Sequence, residues 1–175
     1  MSFRLVDCTP DAHAARVREI FNDAILNTTA LYEYKPRSLD VVVQWFGEKA
    51  RAGHPVMGAV NAAGELCAFA TWGTFRTRPA YKYSIEHSVY VHRDWRRQGL
   101  ARLLMQELIA RATAAGYHAL VGGIDASNAG SIALHAQLGF RHAGTIEQAA
   151  WKFGHWLDLA FYQLLLPGPA HPNED

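Results

Sequence analysis

The segment Arg96-Arg97-Gln98-Gly99-Leu100-Ala101 constrains this chain more than any other. It follows a strand-like run, Ser84 to Val91 (SIEHSVYV), and opens a strongly helical stretch, Gln98 to Ala115. A basic, Gly-containing turn between a strand and a helix start is a ready anion site. Unpaired backbone N–H groups converge there, and the helix dipole favours negative charge. Gly99 lets a phosphate approach the backbone where a Cβ would intrude. The fold must therefore present a strand–turn–helix unit to a phosphate-bearing ligand.

The rest of the chain narrows the partners. A length of 175 residues fits one domain around one substantial core. The net charge of +1 gives no bulk case for nucleic acid or an anionic membrane, so no partner of either kind is expected. Basic character is local, at Arg93, Arg96, Arg97 and Arg102. Cys8 and Cys67 are far apart with no CxxC, which argues against a disulfide framework or zinc ribbon. The first residues (MSFRLVDCTP) show no apolar signal segment and no run reaches membrane-span length, so a cytoplasmic protein is expected. The nine histidines are scattered without a compact ligand spacing; His87 and His92 flank a strand, and no metal is expected.

Along the chain, Phe3 to Val6 reads as a short strand, and Thr9-Pro10 as a helix start with Thr9 able to cap. Val17, Ile20, Phe21, Ala24 and Ile25 carry that helix to about Asn27. Ser38 caps a second helix through Val41, Val42, Trp45 and Phe46, closed by Gly53. Strands follow at Val56 to Val60, Leu66 to Thr74 and Ser84 to Val91. After the basic turn, Leu100, Leu103, Leu104 and Leu108 share one helix face, and Gly116 stops it. Ala119 to Ile124 reads as a buried strand, and Ser127 as the cap of a helix ending near Leu138. Phe140 to Ile146 and Trp156 to Leu166 read as two last strands. This order predicts a mixed α/β fold with a mostly antiparallel central sheet flanked by helices. One domain is expected over 1–166, with 167–175 (PGPAHPNED) a disordered tail.

Two common nucleotide sites are absent: there is no GxxxxGK[ST], and no GxGxxG after the first strand. What remains is R-x-x-G-x-A between a strand and a helix. The element order and this motif together resemble the GNAT superfamily of acyl-CoA-dependent N-acetyltransferases, over about Phe3 to Leu166. Four strings in order, FNDAILNTTA (from Phe21), IEHSVYVH (from Ile85), NAGSIALHAQLGF (from Asn128) and KFGHWLDL (from Lys152), resemble its phosphinothricin and methionine sulfoximine N-acetyltransferase subgroup.

The resemblance implies acetyl-CoA as co-substrate, with its pyrophosphate on Arg96, Arg97, Gln98, Gly99, Leu100 and Ala101. It implies further coenzyme A contacts at Ser88, Val89, Tyr90 and Val91, through backbone groups of a splayed strand, and at Asn128 and His135. Asn128 equally suits a helix start. His135 stands where the wider superfamily commonly has a thiolate-protonating tyrosine, so no dedicated acid is assigned. Acetyl transfer to an amine needs a base for the ammonium proton. Glu86, on the strand feeding the turn, is the best candidate: an apolar setting there raises its pKa. The alternative is a surface carboxylate paired with an arginine.

By the same resemblance the acceptor meets Phe75, Arg76, Thr77, Ile85, Glu86 and His87. Arg76 suits an acceptor carboxylate, or is simply a solvated loop arginine. Phe75 replaces the commoner tryptophan, and Tyr32-Glu33-Tyr34 the more usual Trp-Asn-Glu, so the acceptor pocket is reshaped. The leading expectation is acetylation of the α-amine of a small amino acid or analogue. The alternatives are a peptide N-terminus, polyamine or antibiotic as acceptor, or a non-catalytic coenzyme A module, against which Glu86 argues. Close relatives are often homodimers; Trp151, Phe153 and Trp156 suit an interface or a core equally.

Overall fold

The computed structural model describes residues 2–174. Helix α1 (Pro10–Asn27) forms because Ala14, Val17, Phe21 and Ala24 recur at helical spacing and are buried on one face. Thr9 holds the cap position, but its hydroxyl makes no cap bond; its N–H instead donates to His13 Nδ1 at 3.0 Å. Helix α2 (Leu39–Arg51) starts where the Ser38 side chain accepts from the Val41 N–H, and it buries Val42 and Phe46.

Internal contacts divide the chain into two compact units. The first takes the residues up to Trp72 together with Ser88–Leu108. In it, β1 (Arg4–Asp7) pairs antiparallel with β2 (Val56–Val60), and β2 with β3 (Leu66–Thr74). An aromatic cluster fills its core: the Phe21 ring lies edge-on to Trp45, Phe69 and Tyr90, with centroids 5.0–5.2 Å apart. Such pairs add to the area they bury. Helix α3 (Leu100–Ala114) contributes buried Leu100, Leu104, Met105 and Leu108.

The second unit takes Gly73–His87 and everything from Ile109 onward. Here the start of β4 (Ser84–Val91) pairs parallel with β5 (Ala119–Asp125). Strand β5 pairs antiparallel with β7 (His155–Leu165), and β7 with β6 (Arg141–Lys152). Helix α4 (Ala129–Gln137) lies in sequence between β5 and β6. The element order is the expected one, and the mixed α/β, mostly antiparallel reading holds.

Three local readings are corrected. Helix α3 begins at Leu100 rather than Gln98, because Gly99 has φ +82°, outside the helical region. Asn128, not Ser127, caps α4: Asn128 Oδ1 accepts from the Ser131 N–H at 3.0 Å. Ser127 is engaged elsewhere, donating its N–H (3.0 Å) and hydroxyl (2.9 Å) to Asp125 Oδ1. Strand β6 runs on to Lys152, well beyond Ile146. As the last strand in the order it is exposed along most of its length, so it lacks the alternation that marks a half-buried strand. A register break between Ile146 and Ala150, with Gln148 at φ +51°, disrupts the pattern further. Phe153 and Gly154, both at positive φ, then form the two-residue turn into β7.

Residues 167–174 hold no helix or strand; the Asn173 side chain accepts from Lys82 Nζ at 2.7 Å. No described helix is long and apolar enough to cross a membrane.

Candidate functional site

The parallel ladder between β4 and β5 is short, pairing Ser84 with Ala119, Ile85 with Leu120 and Glu86 with Val121. Its last member is the carboxylate singled out by sequence. Successive residues point to opposite faces of a strand. Ile85 and His87 are accordingly buried on one face, while Glu86 lies half-buried on the other. Burial raises the Glu86 pKa above its ordinary value, and the positive charge of Arg76 partly opposes that rise. A Cβ placed on Gly123 would sit 3.1 Å from Glu86 Oε1 and 3.3 Å from Leu159 Cδ1. The bare backbone of β5 is thus what gives the carboxylate room to lie across it.

Arg76 is exposed and lies on its own loop: Nη1 donates to the Phe75 carbonyl at 2.8 Å, and the guanidinium stands 4.3 Å from the Phe75 ring centroid. Phe75 is half-buried and Thr77 exposed. Glu86 and Arg76 therefore form an anion and a cation close enough to influence each other, without an ion pair that would neutralise both. A zwitterionic α-amino acid carries the complementary pair.

On the opposite face, His87 and His135 are stacked 5.0 Å apart and edge-on to Phe140. His135 Nδ1 lies 2.7 Å from the Ser131 carbonyl oxygen, which can only accept, so Nδ1 carries the proton. His135 Nε2, 3.1 Å from His87 Nε2, is then the acceptor, and His87 donates. Both nitrogens of His135 are engaged within the protein. Burial drives the His87 pKa down to about 3, with the neighbouring His135 acting in the same direction. Burial lowers the His135 pKa too, against the Ser131 carbonyl. Neither ring is cationic at neutral pH. A Cβ on Gly122 would meet His87 Nε2 at 2.7 Å and His135 Nε2 at 3.1 Å, so the pair rests on the glycine.

In the first unit, Ser88, Val89 and Val91 of β4 are half-buried, while the Tyr90 ring belongs to the core against Phe21 and Phe69. The basic turn follows. Arg96, Arg97, Gln98 and Gly99 are exposed, and Leu100 is buried, so Leu100 offers its backbone only. Arg97 at φ +62° and Gly99 at φ +82° turn the chain sharply, and nothing lies within 4 Å of where a Gly99 Cβ would stand. Open space over a glycine beside the first turn of α3 fits a phosphate approaching the backbone. Arg96 behaves differently from its neighbours: Nη2 donates to Asp23 Oδ2 at 2.6 Å and Nε to the Val91 carbonyl at 3.4 Å.

The variant loop segment is also engaged. Arg37 Nε donates to Glu33 Oε2 at 3.0 Å, and the Arg37 guanidinium stands 4.0 Å from the Phe21 ring centroid. Glu33 is thus spent on holding its own loop, whereas Tyr34 is exposed.

Sequence reading missed Gly122, Gly123 and Asp23. Paired glycines inside a strand carry a signal of close approach by other groups, and it was there to be read. Asp23 carries none, because its partner is distant in sequence.

The sequence pattern of the acetyltransferase (GNAT) family matches residues 16–140. An L-methionine sulfoximine/L-methionine sulfone acetyltransferase of Pseudomonas paraeruginosa is 46% identical, over 84% of this chain and 86% of its own. The protein of that name from Salmonella typhimurium is 37% identical over 99% of both chains. A solved GNAT superfamily phosphinothricin acetyltransferase from Sinorhizobium meliloti, in complex with acetyl-CoA, matches with a TM-score of 0.93 at 32% identity, over 98% of this chain and 93% of that one.

Proposed function

This chain belongs to the acetyltransferase (GNAT) family, and we propose that it transfers the acetyl group of acetyl-CoA to the α-amine of a small amino acid or amino-acid analogue. The observation that carries this is the Glu86 carboxylate, its pKa raised by burial, with the positive charge of Arg76 near enough to act on it. Acetyl-CoA supplies the activated thioester. Glu86 takes the proton of the acceptor ammonium, directly or through water, and frees the nitrogen lone pair for attack. Arg76 receives the acceptor carboxylate through paired hydrogen bonds, with Phe75, Thr77 and the backbone of Ile85 to His87 around it. Backbone groups of Ser88 to Val91 polarise the thioester carbonyl and hold the pantetheine arm, which Asn128 also meets. The turn from Arg96 to Ala101 holds the pyrophosphate. With both His135 nitrogens engaged, the departing thiolate takes its proton from water or substrate, and His135 supports the site through His87 and Gly122.

The relatives named for methionine sulfoximine, methionine sulfone and phosphinothricin support an acceptor of that kind. We include a cytoplasmic location and a homodimer in the proposal. Support for the dimer is the exposure of Trp151, Phe153 and Trp156 at the end of β6 and start of β7.

The test follows released thiol with acetyl-CoA and a panel of amino acids, their sulfone and sulfoximine analogues, peptides and polyamines. Thiol release with α-amino acids above all is the expected result. A preference for peptides or polyamines would overturn the acceptor class, and no release with any amine would overturn the activity.

A further inference from the structure

We infer that Asp23 is a positioning residue for donor binding, acting through Arg96 on the backbone of the turn from Arg96 to Ala101. The inference rests on the reading of that turn as the pyrophosphate site. Arg96 is the motif's leading arginine, and the simple expectation is that its guanidinium grips phosphate. The geometry puts the guanidinium to another use, with Nη2 on Asp23 Oδ2 at 2.6 Å and Nε on the Val91 carbonyl.

The carboxylate that receives it is built in. The Asp23 side chain is only 10% exposed, against 45% for Arg96. Asn27 Nδ2 donates to Asp23 Oδ1 at 3.0 Å, and Arg93 Nη1 lies 3.9 Å from the same oxygen. A shielded carboxylate on α1 thus meets two arginines, Arg93 and Arg96, from the segment between β4 and α3. A charge-assisted bond to such a partner is stronger and better fixed than one in open water.

The consequence falls on the next residue. Arg97 stands at φ +62°, which a residue with a Cβ adopts only where the surroundings over-determine it. Fixing Arg96 on one side and the αL glycine Gly99 on the other leaves the intervening N–H groups set for an anion before any ligand arrives. Prepaid ordering of this kind raises affinity without a new contact to the ligand. Arg97 and the backbone then meet the phosphates, and Arg96 holds them in place.

The experiment compares wild type, Asp23→Asn, Arg96→Gln and the double variant. Coenzyme A binding is measured by calorimetry, and amide exchange at residues 97–100 is followed in the ligand-free proteins. Each single substitution should weaken coenzyme A binding roughly tenfold, and the double should lose no more than the worse single, since both remove one interaction. Exchange at the turn should quicken in Asp23→Asn, and Asp23→Glu should recover part of the affinity. In turnover, the KM for acetyl-CoA should rise while that for the acceptor holds, which general loss of stability would not produce. Losses that add in the double variant, or Asp23→Asn binding as wild type does while Arg96→Gln fails, would make Arg96 a direct phosphate ligand and overturn the inference. If wild type bound no coenzyme A, the reading of the turn would fall, and the exchange data would still decide whether Asp23 holds it.

Discussion

His87 Nε2 lies 3.1 Å from His135 Nε2, and the Ser131 carbonyl 2.7 Å from His135 Nδ1 fixes which ring donates. One proton lies between the two imidazoles, and both are neutral. A neutral, buried pair ties the stability of the second unit to pH.

Below an ordinary value of 6.5 an unfolded histidine binds a proton, while folded His87 stays neutral down to about 3. The unfolded chain therefore holds more protons in this window, and stability falls as pH drops from 6.5 towards 3, by up to about 1.4 kcal/mol per pH unit for one such group. His135 acts in the same direction. Urea unfolding of wild type and His87→Gln between pH 7.5 and 4.5 checks this. The wild-type stability should fall more steeply on acidification; parallel curves would remove His87 as the source.

Glu86→Gln should lower kcat/KM by roughly 10²–10⁴ while acetyl-CoA binding stays close to wild type, the range for loss of a general base. In wild type the acid limb of kcat/KM should report a Glu86 pKa above the ordinary 4.5, since burial disfavours the anion. Arg76 opposes that rise, so Arg76→Ala should move the limb to still higher pH and also raise the acceptor KM. An acid limb that stays in place in Arg76→Ala would separate the two residues.

Much of this arrangement was legible because it depends on short-range rules. The spacing of Val17, Phe21 and Ala24 announces α1, and the run from Ser84 to Ala101 announces strand, turn and helix. Strand β6 hid its length because an exposed edge strand has no buried face to impose alternation. The exchange of caps at α4 hid for another reason: Ser127 and Asn128 are both good caps, and only the position of Asp125 decides between them. The His87–His135 bond and the Asp23–Arg96 ion pair join residues far apart in sequence. No local pattern could have announced either one.

The two neighbouring glycines of β5 should separate stability from catalysis. Gly122→Ala places a Cβ 2.7 Å from His87 Nε2, against rings that are buried and stacked. Their forced shift should cost roughly 1–3 kcal/mol, seen as a lower Tm. Gly123→Ala meets Glu86 Oε1 at 3.1 Å and Leu159 Cδ1 at 3.3 Å, the far ends of two flexible side chains. The carboxylate can yield, so Tm should hold while kcat falls as the base leaves its place. A Tm loss in Gly123→Ala equal to that of Gly122→Ala would refute the division.

Gly99 should separate the cost of conformation from the cost of contact. At φ +82° an alanine is strained by about 1–2 kcal/mol whatever its surroundings, because its Cβ crowds the following carbonyl. Among the described residues, none beyond its two chain neighbours has an atom within 4 Å of that Cβ, so no clash with packed groups adds to this in the free protein. Gly99→Asn, larger than alanine but tolerant of this backbone region, should therefore destabilise no more than Gly99→Ala. Coenzyme A should tell the two apart, because the larger side chain occupies the space a phosphate needs against the backbone. Calorimetry with coenzyme A should show a modest loss for alanine and a much larger one for asparagine, beside similar Tm values. Equal affinities in the two variants would place the phosphate elsewhere.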